Sequence, residues 1–234
     1  MIAKAIRLTL NGLSEPAVQR VIVIGLVSAA AVFVGALVGL MFLLPYIPEP
    51  GWAWLDPVMD VAAGLAVVGL VVIAAYVLFP GLATLVMSLF LEEVVHAVES
   101  RHYPQAARSA EAKLIDELGL GLRLLAVSLV VNLLILPLYL VLLATGVGSV
   151  VMALLFLIVN AGLMGREFFE MVAVRHARRR DVAHLRQEMK GTTYQAGLII
   201  AGLFMVPLVN LFAPVLGAIF MTHVYHQALA RGRA

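Results

Sequence analysis

Residues 21–44 read VIVIGLVSAAAVFVGALVGLMFLL and contain no ionisable side chain. A helix rises about 1.5 Å per residue, so crossing a hydrocarbon core about 30 Å thick takes roughly 20 apolar residues, and this run meets the requirement. The rest of the chain has the same character. Of its 234 residues, 63% are hydrophobic and only 13% are charged, with a mean hydropathy of +1.03. A water-soluble domain of that composition would expose large apolar patches, so the solvent is a bilayer. Residues 1–20 lack the basic flank, short apolar run and small-residue cleavage site of a removable signal peptide and are expected to stay as a cytoplasmic N-terminal segment.

Working outward, Pro45, Pro48 and Pro50 end the first run, and Trp52 and Trp54 suit an interface, so residues 45–60 are predicted to turn at the membrane surface. A second uncharged run, 61–91, is longer than one span needs. It holds Pro80-Gly81, where a proline removes a helical hydrogen bond and bends the axis. The spacing predicts two long helices, at 21–44 and 58–91. A cytoplasmic helical segment should follow at 92–123, where Glu92, Glu93, His96, Glu99 and Arg101 share helical spacing before Pro104. Residues 124–165 are apolar again, interrupted by Pro137 and by Thr145-Gly146-Val147-Gly148-Ser149, and read as a first hairpin that could span fully or partly. A basic cytoplasmic segment, 166–194, leads to a last region, 195–226. There Pro207, Asn210 and Pro214 break the helix too often for one straight span, so two short helices are expected.

The basic residues sort by side. Residues 45–60 and 145–149 carry no Lys or Arg. Lys4, Arg7 and Arg20 precede the first run, Arg101, Arg108, Lys113 and Arg123 follow the second, and Arg166, Arg175, Arg178, Arg179, Arg180, Arg186 and Lys190 precede the last. All three groups read as cytoplasmic, because basic residues are retained on that side. A single crossing by the last run would put Arg231 and Arg233 on the opposite face. A re-entrant hairpin turning near Asn210 removes the conflict; the alternative is a C-terminus outside the cell. Broken backbone at membrane depth is tolerated only against protein or a water-lined cavity, so such a turn should face the interior of an assembly.

Other patterns exclude chemistry. With no cysteine there are no disulfides, thiolate metal sites or cysteine nucleophiles. The chain contains no His-Glu-x-x-His motif, nucleophile elbow, P-loop or Gly-x-Gly-x-x-Gly fingerprint, so neither an enzyme nor a cofactor is expected. Glu93-x-x-His96 and His223-x-x-His226 each place two possible ligands on one helical face, but with no His-Glu-x-x-His motif we read them as structural or solvated and expect no metal. Asn132, Asn160 and Asn210 lie in apolar surroundings, and each should bond to backbone freed at a nearby break. These three amides are also the candidate polar lining of a pathway, Asn210 foremost because it sits between two prolines. Gly35-x-x-x-Gly39 marks close helix packing. The run Arg175, His176, Arg178, Arg179 and Arg180 is read as a topology signal that meets anionic lipid, with no nucleic-acid partner. Arg166 and Glu170 should pair along one helix.

Several stretches resemble the CysZ-type inner-membrane sulfate permeases, within the etoposide-induced protein 2.4 superfamily. They are Gln195-Ala196-Gly197 leading into Met205-Val206-Pro207-Leu208-Val209-Asn210-Leu211-Phe212 and Ala213-Pro214-Val215, together with Phe79-Pro80 followed by Leu91-Glu92 and Val98-Glu99. The segment from Asn160 through Gly165-Arg166-Glu167 to Glu170 is similar to one found in the wider superfamily. The resemblance implies an all-α integral membrane protein of the bacterial inner membrane, with two long transmembrane helices and two partly inserted helical hairpins in a homo-oligomer. It also implies a permease or channel for sulfate or a related oxyanion that supplies assimilation. The family's sulfate motif, of proline, glycine, leucine and two arginines, falls here on Pro16, Ala17, Val18, Gln19 and Arg20. Pro16 and Arg20 match, while Ala17 replaces the glycine and Gln19 the first arginine. With Ser14 as N-cap and Pro16 in the first turn, free N–H groups and the positive helix end would face an anion near Arg20, whereas Glu15 opposes one. Read alone, Arg20 is equally an interface anchor, and a non-transporting scaffold or lipid-interacting protein of the same fold is the alternative function.

Overall fold

The computed structural model describes residues 1–43, 69, 79, 83–108, 130, 134, 137–138, 141 and 148–232. Among these residues every regular element is an α-helix: α1 (Ile2–Gly12), α2 (Pro16–Leu43), α3 (Leu91–His102), α4 (Pro104–Arg108), α5 (Gly148–Ala173), α6 (Arg179–Glu188), α7 (Lys190–Met205) and α8 (Val209–Gly232), with a further helical stretch at 83–88. The protein is an all-α membrane protein, and three described helices are long and apolar enough to cross a bilayer: Pro16–Gly39, Val150–Ala173 and Val209–Arg231. The predicted surface turn at 45–60, most of the helix expected at 58–91, residues 109–123 and most of the first arm of the 124–165 hairpin lie outside the described residues.

The chain divides into two compact units. Residues 20–90 form one. Within it, α2 and the stretch at 83–88 approach closely at Gly25, where a methyl group would run into the Met87 side chain. Phe33 meets Phe79 edge-on at 6.4 Å. Gly25 precedes Phe33 while Met87 follows Phe79, so the two segments run antiparallel. The apolar window of α2 is only 18% buried, and Val23, Val27, Val34 and Phe42 stand exposed, which is stable in lipid and not in water. A methyl group on Gly35 or Gly39 would meet nothing among the described residues, so the close packing expected there is not made by them.

Residues 1–19 and 91–234 form the other unit, and α8 is its centre. The apolar window of α8 is 78% buried against 17% for α5, and α1, α3, α5 and α7 all pack on it. Small residues make the approach possible. A methyl group on Gly165 of α5 would lie 3.2 Å from the Gly197 Cα of α7, and one on Gly197 would overlap the Ala161 carbonyl oxygen. Gly217 of α8 leaves room for the Phe168 ring, and Gly12 of α1 seats against Ile219. The boundary drawn at 165/166 falls inside α5, because Phe168, Phe169 and Val172 continue its buried face.

The last region corrects the sequence reading in one respect. Two helices are present, but only the first is short. Pro214 lies inside α8, a helix of 24 residues. It falls near the helix start, and the backbone bond its ring removes is the local cost. The chain reverses earlier than Asn210, at residues 206–208. Val206 is extended, as a residue before proline prefers, and Leu208 takes a left-handed φ of 67°, strained for a residue with a side chain. Leu208 is also 84% exposed, so the tip of the α7–α8 hairpin is apolar.

Gly197→Ala should therefore cost about 1–3 kcal/mol through overpacking. Gly191→Ala, with open space around it, should cost nothing. Thermal unfolding of the detergent-solubilised protein checks this, and equal melting temperatures would contradict the close α5–α7 crossing.

Candidate functional site

The heart of the larger unit is a buried carboxylate. In α3 the buried residues are Leu91, Val94, Val95, Val98 and Glu99, a spacing that lines one helical face and makes Glu99 its polar end. Glu92 and Glu93 complement the positive start of that helix, and Arg101 and His102 its negative end. Beyond α5 the backbone tightens: the Arg175 N–H bonds to Val172 O at 3.3 Å and the His176 N–H to Ala173 O at 3.0 Å. That turn aims both side chains at Glu99. His176 Nε2 lies 2.5 Å from Glu99 Oε1, His226 Nε2 of α8 lies 3.1 Å from the same oxygen, and Arg175 Nε donates to Oε2 at 3.3 Å. Aromatic rings hold the imidazoles. Tyr103 stacks on His226 at 4.3 Å, and Tyr225 stacks on His176 at 5.8 Å. Tyr103 Oη lies 3.0 Å from His223 Nδ1, and His223 Nε2 is buried without a hydrogen-bond partner among the described residues. A cavity of about 660 Å³ opens beside the cluster, lined by His102, Tyr103, Gln105, His176 and His226.

Burial alone would push the Glu99 carboxyl up. Hydrogen bonds from His176 and His226, with the charges of His176 and Arg175, outweigh it and hold the group at about 2.

The residues predicted to bind an anion form the opening of α2. Its first backbone bond runs from Gln19 N–H to Glu15 O at 2.9 Å, so Glu15, not Ser14, is the N-cap residue, and Pro16 stands at the first helical position. Ser14 bonds instead through its backbone to Asn11 O within the α1–α2 turn. Val18 is buried, whereas Pro16, Gln19 and Arg20 are exposed and Ala17 is half-buried. The objection that Glu15 repels an anion is weakened by its partners: its buried carboxylate lies 3.3 Å from His102 Nε2 and 3.5 Å from Arg101 Nε.

The asparagines behave differently from one another. Asn160 is buried and donates to Phe156 O at 2.9 Å within unbroken α5, not to backbone freed at a break. Asn210 is half-buried in the first turn of α8, and Asn132 lies outside the described residues. Arg166 and Glu170 pair at 2.8 Å as expected, and Arg186 of α6 joins them at 3.2 Å. Of the basic run, Arg175 has turned inward, while Arg178 and Arg180 are exposed. His223 and His226 go to separate partners, and exposed His96 sits 3.5 Å from the Ser100 hydroxyl.

A depressed carboxyl stabilises the folded state above its ordinary value of 4.5, and that stability is lost as pH falls through about 2. The fully buried Glu99 should account for about 3 kcal/mol over this window. Acid titration of unfolding should therefore be steeper below pH 4.5 for the wild type than for Glu99→Gln, which should also be less stable at neutral pH; superimposable profiles would contradict the network.

No curated protein matches the chain. A family model described as sulfate transporter CysZ/etoposide-induced protein 2.4 matches residues 4–214, from α1 into the start of α8. The chain therefore belongs to the sulfate transporter CysZ/etoposide-induced protein 2.4 family.

Proposed function

We propose that this chain is a permease or channel that carries sulfate or a related oxyanion across the bacterial inner membrane to supply assimilation, with no enzymatic step and no cofactor. The membership of a transporter family supports the class of function. The observation that carries the anion reading is at the start of α2. Glu15, which caps that helix, is tied to His102 and Arg101, so the positive helix end does not meet a bare carboxylate from its own cap. Pro16, Ala17, Val18 and Gln19 complete the candidate binding turn.

The α7–α8 hairpin supports a pathway at membrane depth. Its first arm is polar from Lys190 to Gln195, and the apolar remainder, 196–205, spans only about 15 Å at 1.5 Å per residue. That is about half of a hydrocarbon core, which suits a re-entrant hairpin better than a full crossing. Its exposed tip, Val206 and Leu208, would lie in the bilayer, with Asn210 just behind it as a candidate lining group. The multi-pass chain would work as a homo-oligomer in contact with lipid, the interior of the assembly covering the irregular turn.

Gln19, standing where the family motif has an arginine, favours a second reading: a scaffold or lipid-interacting protein of the same fold. Purified protein in liposomes should take up labelled sulfate above the level of empty liposomes, with sulfite, selenate and phosphate compared alongside. Arg20→Ala should lower sub-saturating uptake about tenfold, the loss of one charge-assisted contact. Uptake no greater than in empty liposomes, with normal sulfate-dependent growth after deletion, would overturn the transport reading in favour of the scaffold.

A further inference from the structure

We propose that Glu99, His176 and His226 form a binding site for a first-row transition-metal dication, for which zinc is the probe. The three come from different elements, α3, the turn after α5, and α8, and are separated from Glu99 by 77 and 127 positions. The fold, not local helical spacing, brings them together. One ligand atom from each lies within 4.8 Å of the others. Around a tetrahedral zinc with bonds of about 2.0–2.2 Å, ligand atoms sit roughly 3.4 Å apart. The His226–Glu99 separation of 3.1 Å already approaches that value, and the His176–Glu99 separation of 2.5 Å needs to widen by less than an ångström. The two ring nitrogens, within 4.8 Å of each other, must close toward the same value, so both rings tilt as the ion enters.

The donor set matches the metal class. Two imidazole nitrogens and one carboxylate oxygen suit zinc and its first-row neighbours, while magnesium and calcium prefer oxygen alone. A His₂Glu set leaves a coordination position open, and here that side faces the cavity of about 660 Å³. Both rings line it, so an ion arriving from water meets its ligands directly, and water or an oxyanion can fill the open position.

The surroundings hold the ligands in place. Tyr103 and Tyr225 fix the planes of His226 and His176 by stacking. Arg175 occupies Glu99 Oε2 and leaves Oε1 directed at both imidazoles, the kind of outer contact that orients a metal-binding carboxylate. His223 lies outside the set, because its Nδ1 faces Tyr103. Under this proposal His226 departs from the structural reading of the His223-x-x-His226 pair, because the one-turn spacing does not reveal its partners.

The test uses the full chain in detergent with any histidine tag removed, and zinc alone as the probe. Titration calorimetry should give one zinc per chain, His226→Ala should weaken binding at least tenfold, and His184→Ala should leave it unchanged, since His184 sits in an exposed pair with Glu188. Cobalt bound in place of zinc should show the visible absorption of a low-coordinate imidazole site, and magnesium should produce no thermal shift. Zinc binding that is absent, or unaltered in a folded His226→Ala, would overturn the proposal. If that variant does not fold, His226→Gln, which can still bond to Glu99, replaces it, and a cobalt spectrum of the wild type lacking that visible low-coordinate absorption is decisive against the site by itself. No transport is measured, so failure here leaves the oxyanion reading standing, and the reverse also holds.

Discussion

The hydrogen bonds that converge on Glu99 decide how the larger unit is put together. A carboxylate removed from water is tolerated only when its oxygens are satisfied, and here Arg175, His176 and His226 satisfy them from two other elements. Removing one partner of such a group costs about 3–5 kcal/mol, comparable to a large share of a domain's whole stability. The interaction therefore joins the end of α3, the turn after α5 and the last part of α8. Apolar packing along Ala213, Leu216, Ile219 and Phe220 supplies the bulk of the association, and the polar end fixes its register.

That connection has a consequence for the membrane. Because His226 bonds to Glu99 of α3, and Glu99 also holds Arg175 and His176 of the α5–α6 turn, the close of α8 lies at the same end of the unit as Arg101 and Arg175. The charge map places those arginines in the cytoplasm, and under that reading the tail follows them. A chain that starts α7 and finishes α8 on one face must dip into the lipid and return. The glycine pair Gly165 and Gly197 lets α5 and α7 approach closely, and the strained Leu208 makes the reversal sharp.

Much of this was legible in the sequence, for identifiable reasons. Length and lack of charge in 21–44 identify a lipid-facing helix because those two properties alone decide whether a helix can cross. The Arg166–Glu170 pair follows from helical spacing, whereas the chain reverses at Pro207, ahead of the turn expected near Asn210, because the residue before a proline is already extended. Pro214 was misleading because a proline can cost a helix one backbone bond without ending it, which the residue type does not disclose. The Glu99 cluster was half legible. Its place on the apolar face of α3 follows from the 91, 94, 95, 98, 99 spacing, but its partners lie 77 and 127 positions away and no local pattern points to them. Likewise, Glu15 counts as a repelling charge until the structure sets it against His102.

The account stands on α8 closing beside the basic segments, and the absence of native cysteine makes that directly measurable. Single-cysteine proteins carrying Ala230→Cys or Arg180→Cys can be treated with a membrane-impermeant thiol reagent in intact cells and in inverted vesicles. Both positions should be shielded in cells and labelled in the vesicles. Labelling of Ala230→Cys from outside intact cells, with Arg180→Cys still protected, would place the two on opposite faces and contradict the account.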